Sequence, residues 1–530
     1  MNTTHNTTHA IAHTVPRSAL VRFRSGRLAE NARTLALLGA ALFASNVHAF
    51  GFDDVARKAE KLAAASYKAP DKPLPKALKD LGYDQYRDIR YRTAKDLWAN
   101  AGLSFEIAFF HVGYHFDQPV AIHEVDASGI HDFRYDPGLF DFGSTKIDPA
   151  ALRDGGFAGF RVHYPLNTAG YKDEVVVFLG ASFFRALGKG QVYGASARGL
   201  AIDTAVATGE EFPRFTEFWF ARPAARERQL TFYALLDSPR ASGAYQFVLR
   251  PGAATEIDVR ARLYLRASVT KLGLAPLTSM FYYGENTPPP ADDFRPEVHD
   301  SDGLSIHASN DEWIFRPLLD PKRLSVSSFQ LTDPVGFGLT QRDRSFDHYE
   351  DLEAHYEKRP TVWIEPAQRW GAGRVELVLL PSPNEWNDNV VAYWVPAVLP
   401  ASKQPLDFGY RMYWQKDVET RSPLSWVAQS RRGVGPGKAD DGAIGFAVDF
   451  VGPALTKVPA ETRVDAVVAP GDNAKVLEQR VERNDVTSGY RVVLRLHRID
   501  AAKPLDLRMY LRTGDRVLSE TWSYLLPPES

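Results

Sequence analysis

Cysteine is absent from all 530 residues, which excludes disulfides and thiolate-bound metals. An excess of charge of either sign is also missing: 63 basic residues stand against 65 acidic ones, without the basic stripe of a nucleic-acid binder. No apolar run is long enough to span a bilayer; the longest, Leu35–Ala44, is a short segment near the start of the chain. Helical periodicity is scarce beyond Gly102, and no internal repeat or low-complexity tract marks the chain after its first fifty residues. What remains is a near-neutral chain, too long for one core, in which 12% of residues are aromatic. Aromatics at that level line sugar grooves and fill all-β cores alike.

The first 49 residues have the order of an export signal. Arg17, Arg22, Arg24, Arg27 and Arg33 make a basic lead, Leu35–Ala44 the apolar centre, and Val47-His48-Ala49 a small-residue cleavage site before Phe50. No Arg-Arg pair precedes the apolar centre, so the general secretory route is expected, and with it a periplasmic location. Phe52, Val55, Ala56, Ala59, Leu62 and Ala63 then fall at helical spacing, predicting a helix between Phe50 and Leu81. From Leu103 the period becomes two. Strands are expected at Phe105–Val112, Val120–Val125, Leu230–Leu236, Tyr245–Leu249, Glu256–Leu265 and Val375–Leu380. The pattern lapses between Gln415 and Ser425, which places a linker there. Alternation resumes to the end, closing with a strand at Val517–Tyr524. The reading is all-β: one large sandwich over 50–415 and a smaller immunoglobulin-like one over 426–530.

Several signatures fail on spacing. Gly188-Lys189-Gly190 followed by Gly194 misses the dinucleotide fingerprint, and Gly194–Gly199 is one residue too long for a nucleophile elbow. Asp300-Ser301-Asp302-Gly303 begins like a calcium loop but lacks its later ligands. His111 and His115 could share a face, yet two histidines alone make a weak metal site, so neither metal nor cofactor is expected. Two acidic loops stand out instead. Pro276–His307 holds Asp292, Asp293, Asp300 and Asp302 with His299, His307 and the Tyr282-Tyr283 pair, in a Pro-rich stretch unsuited to regular structure. Asn384–Trp394 sets Asp388 between Asn387 and Asn389, with Trp386, Tyr393 and Trp394 close in sequence. Glycosidic hydrolysis needs one protonated carboxyl and one ionised one. Neighbouring rings could raise the pKa of Asp388 for the first role, and Asp300 suits the second. Loops of this composition are also common as plain turns, and sugar binding without chemistry fits them equally well.

Longer motifs add a resemblance. FDDVARKAEKLA at Phe52, GFAGFRVHYPLN at Gly156, LGASFFRALGKGQVYGASARGLAIDTA at Leu179, GEEFPRF at Gly209, YALLDSPRASGAY at Tyr233, LAPLTSMFYYGEN, RPEVHDSDGLSIH, NEWNDNVVAYW and SETWSY resemble the periplasmic glucan biosynthesis family. The missing twin-arginine pair is similar to its G branch rather than its D branch. The resemblance implies that the large sandwich is galactose-mutarotase-like. It implies a part in making osmoregulated periplasmic glucans with a β-1,2-linked backbone, and similarity to inverting β-1,2-glucanases, with transglycosylation or non-catalytic assembly as alternatives. It implies that Asp388 is the general acid and Asp300 the general base, direct or through a water relay. Tyr282, Tyr283, His299, Asp302, Trp386, Asn387 and Trp394 are then the expected substrate contacts. The expected partners are β-1,2-glucan and an inner-membrane glucan synthase, with a homodimer left open and no nucleic acid.

Overall fold

The computed structural model describes residues 50–69, 73–434 and 441–528; the expected export signal lies outside them. The chain is nearly all β, as the alternating pattern predicts. Within the strand Thr255–Leu265, Ile257, Val259, Ala261 and Leu263 are buried, while Glu256, Asp258, Arg260 and Arg262 alternate with them toward the opposite face. Expected strands appear within a few residues of their predicted ends, as Glu106–His111, Ala121–Asp126, Leu230–Asp237, Ala241–Arg250 and Ala372–Leu379.

The first helix is shorter than predicted. It spans Phe52–Ala64, with Asp53 and Asp54 in its first turn and Lys61 in its last, each favourably placed against the helix dipole. Prolines at 70, 73 and 75 prevent its continuation to Leu81, and two short helices, Lys76–Lys79 and Tyr83–Arg87, follow. Phe52, Val55, Ala56, Ala59 and Ala63 pack on Trp219, Leu235, Ala244 and Tyr264. Three alanines on that stripe let the helix approach closely enough for Ser242 Oγ to donate to the Ala59 carbonyl at 2.6 Å.

Two large sheets carry the fold. A ten-stranded sheet runs from Glu106–His111 through Phe157–Thr168, Tyr171–Leu179, Phe183–Ala186, Ser196–Arg198, Leu272–Ser279, Val390–Pro396 and Ala372–Leu379 to Ser325–Thr332. A fifteen-stranded sheet lies across the core from it. Phe160, Phe178 and Phe184 from the first meet Phe218, Phe232 and Phe247 from the second, mostly edge to face, with centroids 4.9–5.8 Å apart. One face of the ten-stranded sheet is thereby committed to the core. Its other face holds the site described below.

The C-terminal residues form a four-stranded sheet, Trp426–Gly433, Ile444–Val451, Gly489–Arg498 and Ala474–Asn484. Opposite it, Asp465–Ala469, Leu505–Thr513 and Thr521–Leu526 belong to the fifteen-stranded sheet itself. Thr521 and Trp522 pair in parallel with Ile314 and Phe315. The closing strand predicted as Val517–Tyr524 is divided in two, because the backbone of Leu518 and the hydroxyl of Ser519 turn to bond Leu511. The stretch between Gln415 and Trp426 has no strand but is anchored: Glu419 accepts from Arg344 Nη2 at 2.5 Å and from Thr361 Oγ1 at 2.7 Å.

A buried ion pair locks this seam. Arg342, 5% exposed, reaches fully buried Glu520 through two bonds of 2.5 and 3.1 Å, while its guanidinium stacks on Phe315 at 3.9 Å. Glu520 also accepts the Val427 amide at 2.8 Å, and Arg342 donates to the Val427 carbonyl at 3.0 Å. Removing one partner leaves the other charge buried alone, which typically costs ~3–5 kcal/mol. Glu520→Ala is therefore expected to lower unfolding stability by about that amount in urea titrations. Arg57→Ala, which breaks an exposed pair with Asp54, should change it by only ~0–1 kcal/mol.

Candidate active site

Asp388 and Asp300 stand 88 positions apart in the sequence, and one asparagine joins the segments that carry them. Buried Asn389 accepts the Phe281 amide at 2.9 Å and donates back to the Phe281 carbonyl at 2.8 Å and to the Leu380 carbonyl at 3.1 Å. Phe281 in turn pairs with His299, and the Asp300 amide donates to the Met280 carbonyl at 2.8 Å. The loop ending at Asp388 is thus fastened to the segment carrying Asp300. A second fastening is Arg295, whose guanidinium binds Asp293, Asp351 and Glu385 at 2.8, 3.0 and 2.7 Å and so ties three loops together.

Around the two carboxylates the polar face of the ten-stranded sheet supplies cations. Arg185 Nη2 lies 3.4 Å from Asp388 Oδ2, and Ser196 Oγ lies 3.5 Å from the same oxygen. Asp300 is 4% exposed and takes a direct hydrogen bond from Arg359. Arg359 sits against Gly194, where any Cβ would come within 2.8 Å of the arginine Cβ, so only glycine allows this approach. The Arg359 guanidinium also stacks on Tyr356 at 4.1 Å, and the Tyr356 hydroxyl donates to Glu385 at 3.1 Å. Burial pushes the pKa of Asp300 above its usual range; Arg359 opposes the shift, the charge of Asp388 adds to it, and Arg185 opposes it again. Asp388 is thus paired with Arg185 and Asp300 with Arg359, and the charge of Asp388 is felt at Asp300.

The expected substrate contacts divide. Trp386 is 83% exposed at the rim, on a turn where Asn384 Oδ1 accepts the Trp386 amide and the Asn387 side-chain amide. Tyr282 lines a cavity of about 860 Å³ with Asp292–Arg295 and Glu350–Glu353, and its hydroxyl donates to the Pro383 carbonyl at 3.2 Å. Trp394 and Tyr283 cannot be sugar platforms: they are 0% and 1% exposed, Trp394 in the main core and Tyr283 packed with Met280, Val298, Tyr349 and Tyr356. Strand alternation turns Trp394 to the core face. Of the rings expected beside Asp388, Tyr393 and Trp394 are buried in packing and Trp386 is exposed, and the side-chain partners of Asp388 are Arg185 and Ser196.

His299 and Asp302 are supports. His299 is buried, stacked on Phe281, and held between Gln341 at 3.0 Å and Glu297 at 2.9 Å. Burial works against its charge, but Glu297, Asp302 and Asp343 raise its pKa above the ordinary 6.5. Asp302 accepts the backbone amides of Arg342 and Asp343 at 2.6 and 3.0 Å, so it anchors the seam rather than a ligand. His111 bonds the Val112 carbonyl and Tyr135, which accounts for both its ring nitrogens. Glu297, Asp343 and His348 each bring one ligand atom within 4.8 Å of the others, a geometry that could hold a cation; Glu297 is bonded to His299 and Asp343 to His348. Sequence reasoning missed Arg185, Ser196, Arg359 and Tyr356, although Tyr356 and Arg359 lie at the end of an acidic run, Glu350, Asp351, Glu353 and Glu357. The Asn-Asp-Asn spacing was a signal for Asn389.

The molecule is thus a large β-sheet protein with two arginine-braced carboxylates on a polar sheet face. The family described as "Periplasmic glucan biosynthesis protein, MdoG" matches residues 50–526. The chain is 56% identical over 508 residues to Glucans biosynthesis protein G of Ralstonia nicotianae, covering 95% of this chain and 100% of the relative. Its identity to the protein of that name from Pseudomonas aeruginosa is 50% over 509 residues, covering 94% and 97%. With that from Serratia proteamaculans it is 49% over 494 residues, covering 92% and 95%. The chain belongs to the periplasmic glucan biosynthesis protein family. Among the described residues no helix is long and apolar enough to cross a membrane.

Two half-buried acids give the site's support a pH dependence. Burial raises Asp302 from 3.8 to about 6. Burial, with Glu297 beside it, pushes Glu285 well above the usual carboxylate range. A carboxyl raised in the folded state contributes stability that is complete below its unfolded pKa and lost as pH rises through its folded one. Parent protein is expected to lose part of its stability between pH 3.8 and about 6. Asp302→Asn should flatten that interval in urea midpoints measured across pH; an unchanged slope would count against the assignment.

Proposed function

We propose that the protein cleaves β-1,2-linked glucan with inversion in the periplasm, using Asp388 as general acid and Asp300 as general base. The observation that carries this reading is a pair of arginine-bound carboxylates, Asp388 on Arg185 and Asp300 on Arg359, borne by segments that Asn389 fastens together. In the reaction Asp388 gives its proton to the leaving glycosidic oxygen as the bond to the anomeric carbon breaks. Asp300 takes a proton from the water whose oxygen attacks that carbon from the opposite side. Its raised pKa makes it a stronger base once ionised. Because Asp300 is nearly buried and bonded to Arg359, transfer through a water relay suits it better than direct contact. Exposed Trp386 and partly exposed Tyr282 are candidate surfaces for the sugar rings. An inner-membrane synthase is the partner that would supply the chain.

That same burial favours one second reading, in which Asp300 only braces the site and the protein binds glucan during assembly. Incubating the protein with linear β-1,2-glucan separates the two. Shortened products of inverted anomeric configuration from the parent, and a loss of about 10²-fold or more in Asp388→Asn, support catalysis. Intact glucan with both, despite measurable binding, leaves the assembly role. The acid limb of the rate profile tests the base. Activity is expected to fall as pH drops through the raised pKa of Asp300, hence above pH 3.8. Since Arg359 holds that pKa down, Arg359→Gln should move the limb to higher pH. A limb that stays put or moves lower would remove Asp300 from the role.

A further inference from the structure

Strand register sets polar side chains, spaced by Val177 and Ala108, in a row that starts beside Asp388. On the sheet face that carries Arg185, Arg185 pairs with Val177, Val177 with Arg161, and Arg161 with Ala108. The phenylalanines at the intervening positions, Phe184, Phe178, Phe160 and Phe109, point the other way into the core. One step along the strands, Glu174 pairs with His163 and His163 with Glu106. The row is partly open to solvent: side-chain exposure is 45% at Arg185, 36% at Arg161 and 24% at Glu174.

The polar groups on this face are held in place. Arg161 Nη1 lies 2.8 Å from Glu174, with its guanidinium over the Phe110 ring at 4.2 Å. His163 Nδ1 lies 3.4 Å from Asp96, whose side chain is 3% exposed. Burial of the Tyr193 phenol, with the charge of Glu174, pushes its pKa well above the ordinary 10, while Arg161 and Arg185 oppose the shift. Val177 and Ala108 keep the floor between these groups low. Planar guanidinium, carboxylate and imidazole groups at fixed spacing suit the paired hydroxyls of a sugar, and Phe110 stiffens the arginine among them.

We propose that the glucan leaves the carboxylates over Arg185 and crosses the sheet, so that Arg161, Glu174 and His163 form a distal subsite setting chain-length preference. Strands lie ~4.8 Å apart, so Arg161, two strands from Arg185, sits roughly 10 Å further along. A chain must extend past the reacting linkage to reach it. This inference rests on the glucan reading above and adds a direction and a length dependence to it.

The test is calorimetric titration with linear β-1,2-glucans of graded length in the Asp388→Asn protein, which leaves them uncut. Affinity is expected to climb with length and then level off. Adding Glu174→Gln or Arg161→Ala should weaken the long chains by about tenfold or more, the equivalent of one lost bond to a charged group, and flatten the climb. Val177→Trp gives an independent check, since it obstructs the floor and removes no polar group. Equal affinity in parent and variants at every length, or a loss uniform across all lengths, overturns the subsite while leaving the glucan reading intact. Absence of binding to glucan of any length in Asp388→Asn overturns both.

Discussion

The three hydrogen bonds of the Asn389 side chain are the constraint on which the site depends. The buried amide is satisfied by backbone groups of Phe281 and Leu380, and together with the pairing of Ser279 and Val390 it fixes how the strand entering at Val390 meets the segment at Phe281. Asp388 precedes the first, and Asp300 is bonded to the residue before the second. Phe281 also pairs with His299, and two residues earlier Ser279 pairs with Val390. Asn389 extends the ladder in which Ser279, Thr278 and Leu277 pair with Val390, Val391 and Ala392, and carries that junction past the strand ends toward the two carboxylates.

Electrostatics then builds outward from that junction in layers. Arg295 gathers Asp293, Asp351 and Glu385, neutralising carboxylates from three loops that would otherwise repel. Arg359 and Arg185 do the same for Asp300 and Asp388. Below them Asp302 receives the backbone of Arg342, and the Arg342 side chain is bound to Glu520. A continuous path of charged hydrogen bonds thus links the residue two beyond Asp300 to the last strands of the chain. This gives the C-terminal strands a part in supporting the site, since Glu520 is fully buried against the element that Asp302 anchors.

Much of the architecture was legible because it follows from a simple periodicity. Alternation in Glu256–Leu265 specifies a two-faced strand whatever its neighbours are, and the acid-flanked apolar stripe of Phe52–Ala63 specifies a helix. The acidic loops were legible only in part. The stretch Pro276–His307, read as unsuited to regular structure, begins and ends in buried strands of the two large sheets, Leu272–Ser279 and Gly303–His307, while the residues between Tyr283 and Val298 and around Asp300 and Asp302 are irregular. The aromatic neighbours of these loops were not legible. Trp386 and Trp394 lie in one loop-to-strand segment and are both tryptophan, yet one is in solvent and the other in the core. Only the point at which the strand begins, Val390, decides which ring faces inward.

By itself the sequence determined which segments are two-faced, where the chain must turn, and which carboxylates lie outside regular structure, since each depends on near neighbours along the backbone. The tertiary structure alone decided that Arg185, Ser196 and Arg359 meet Asp388 and Asp300, that His299 and Asp302 face inward as supports, and that the C-terminal strands continue the large sheet. Those are pairings between residues tens to hundreds of positions apart. Their partners are chosen by sheet register and by the need to neutralise buried charge, and neither leaves a local mark on the chain.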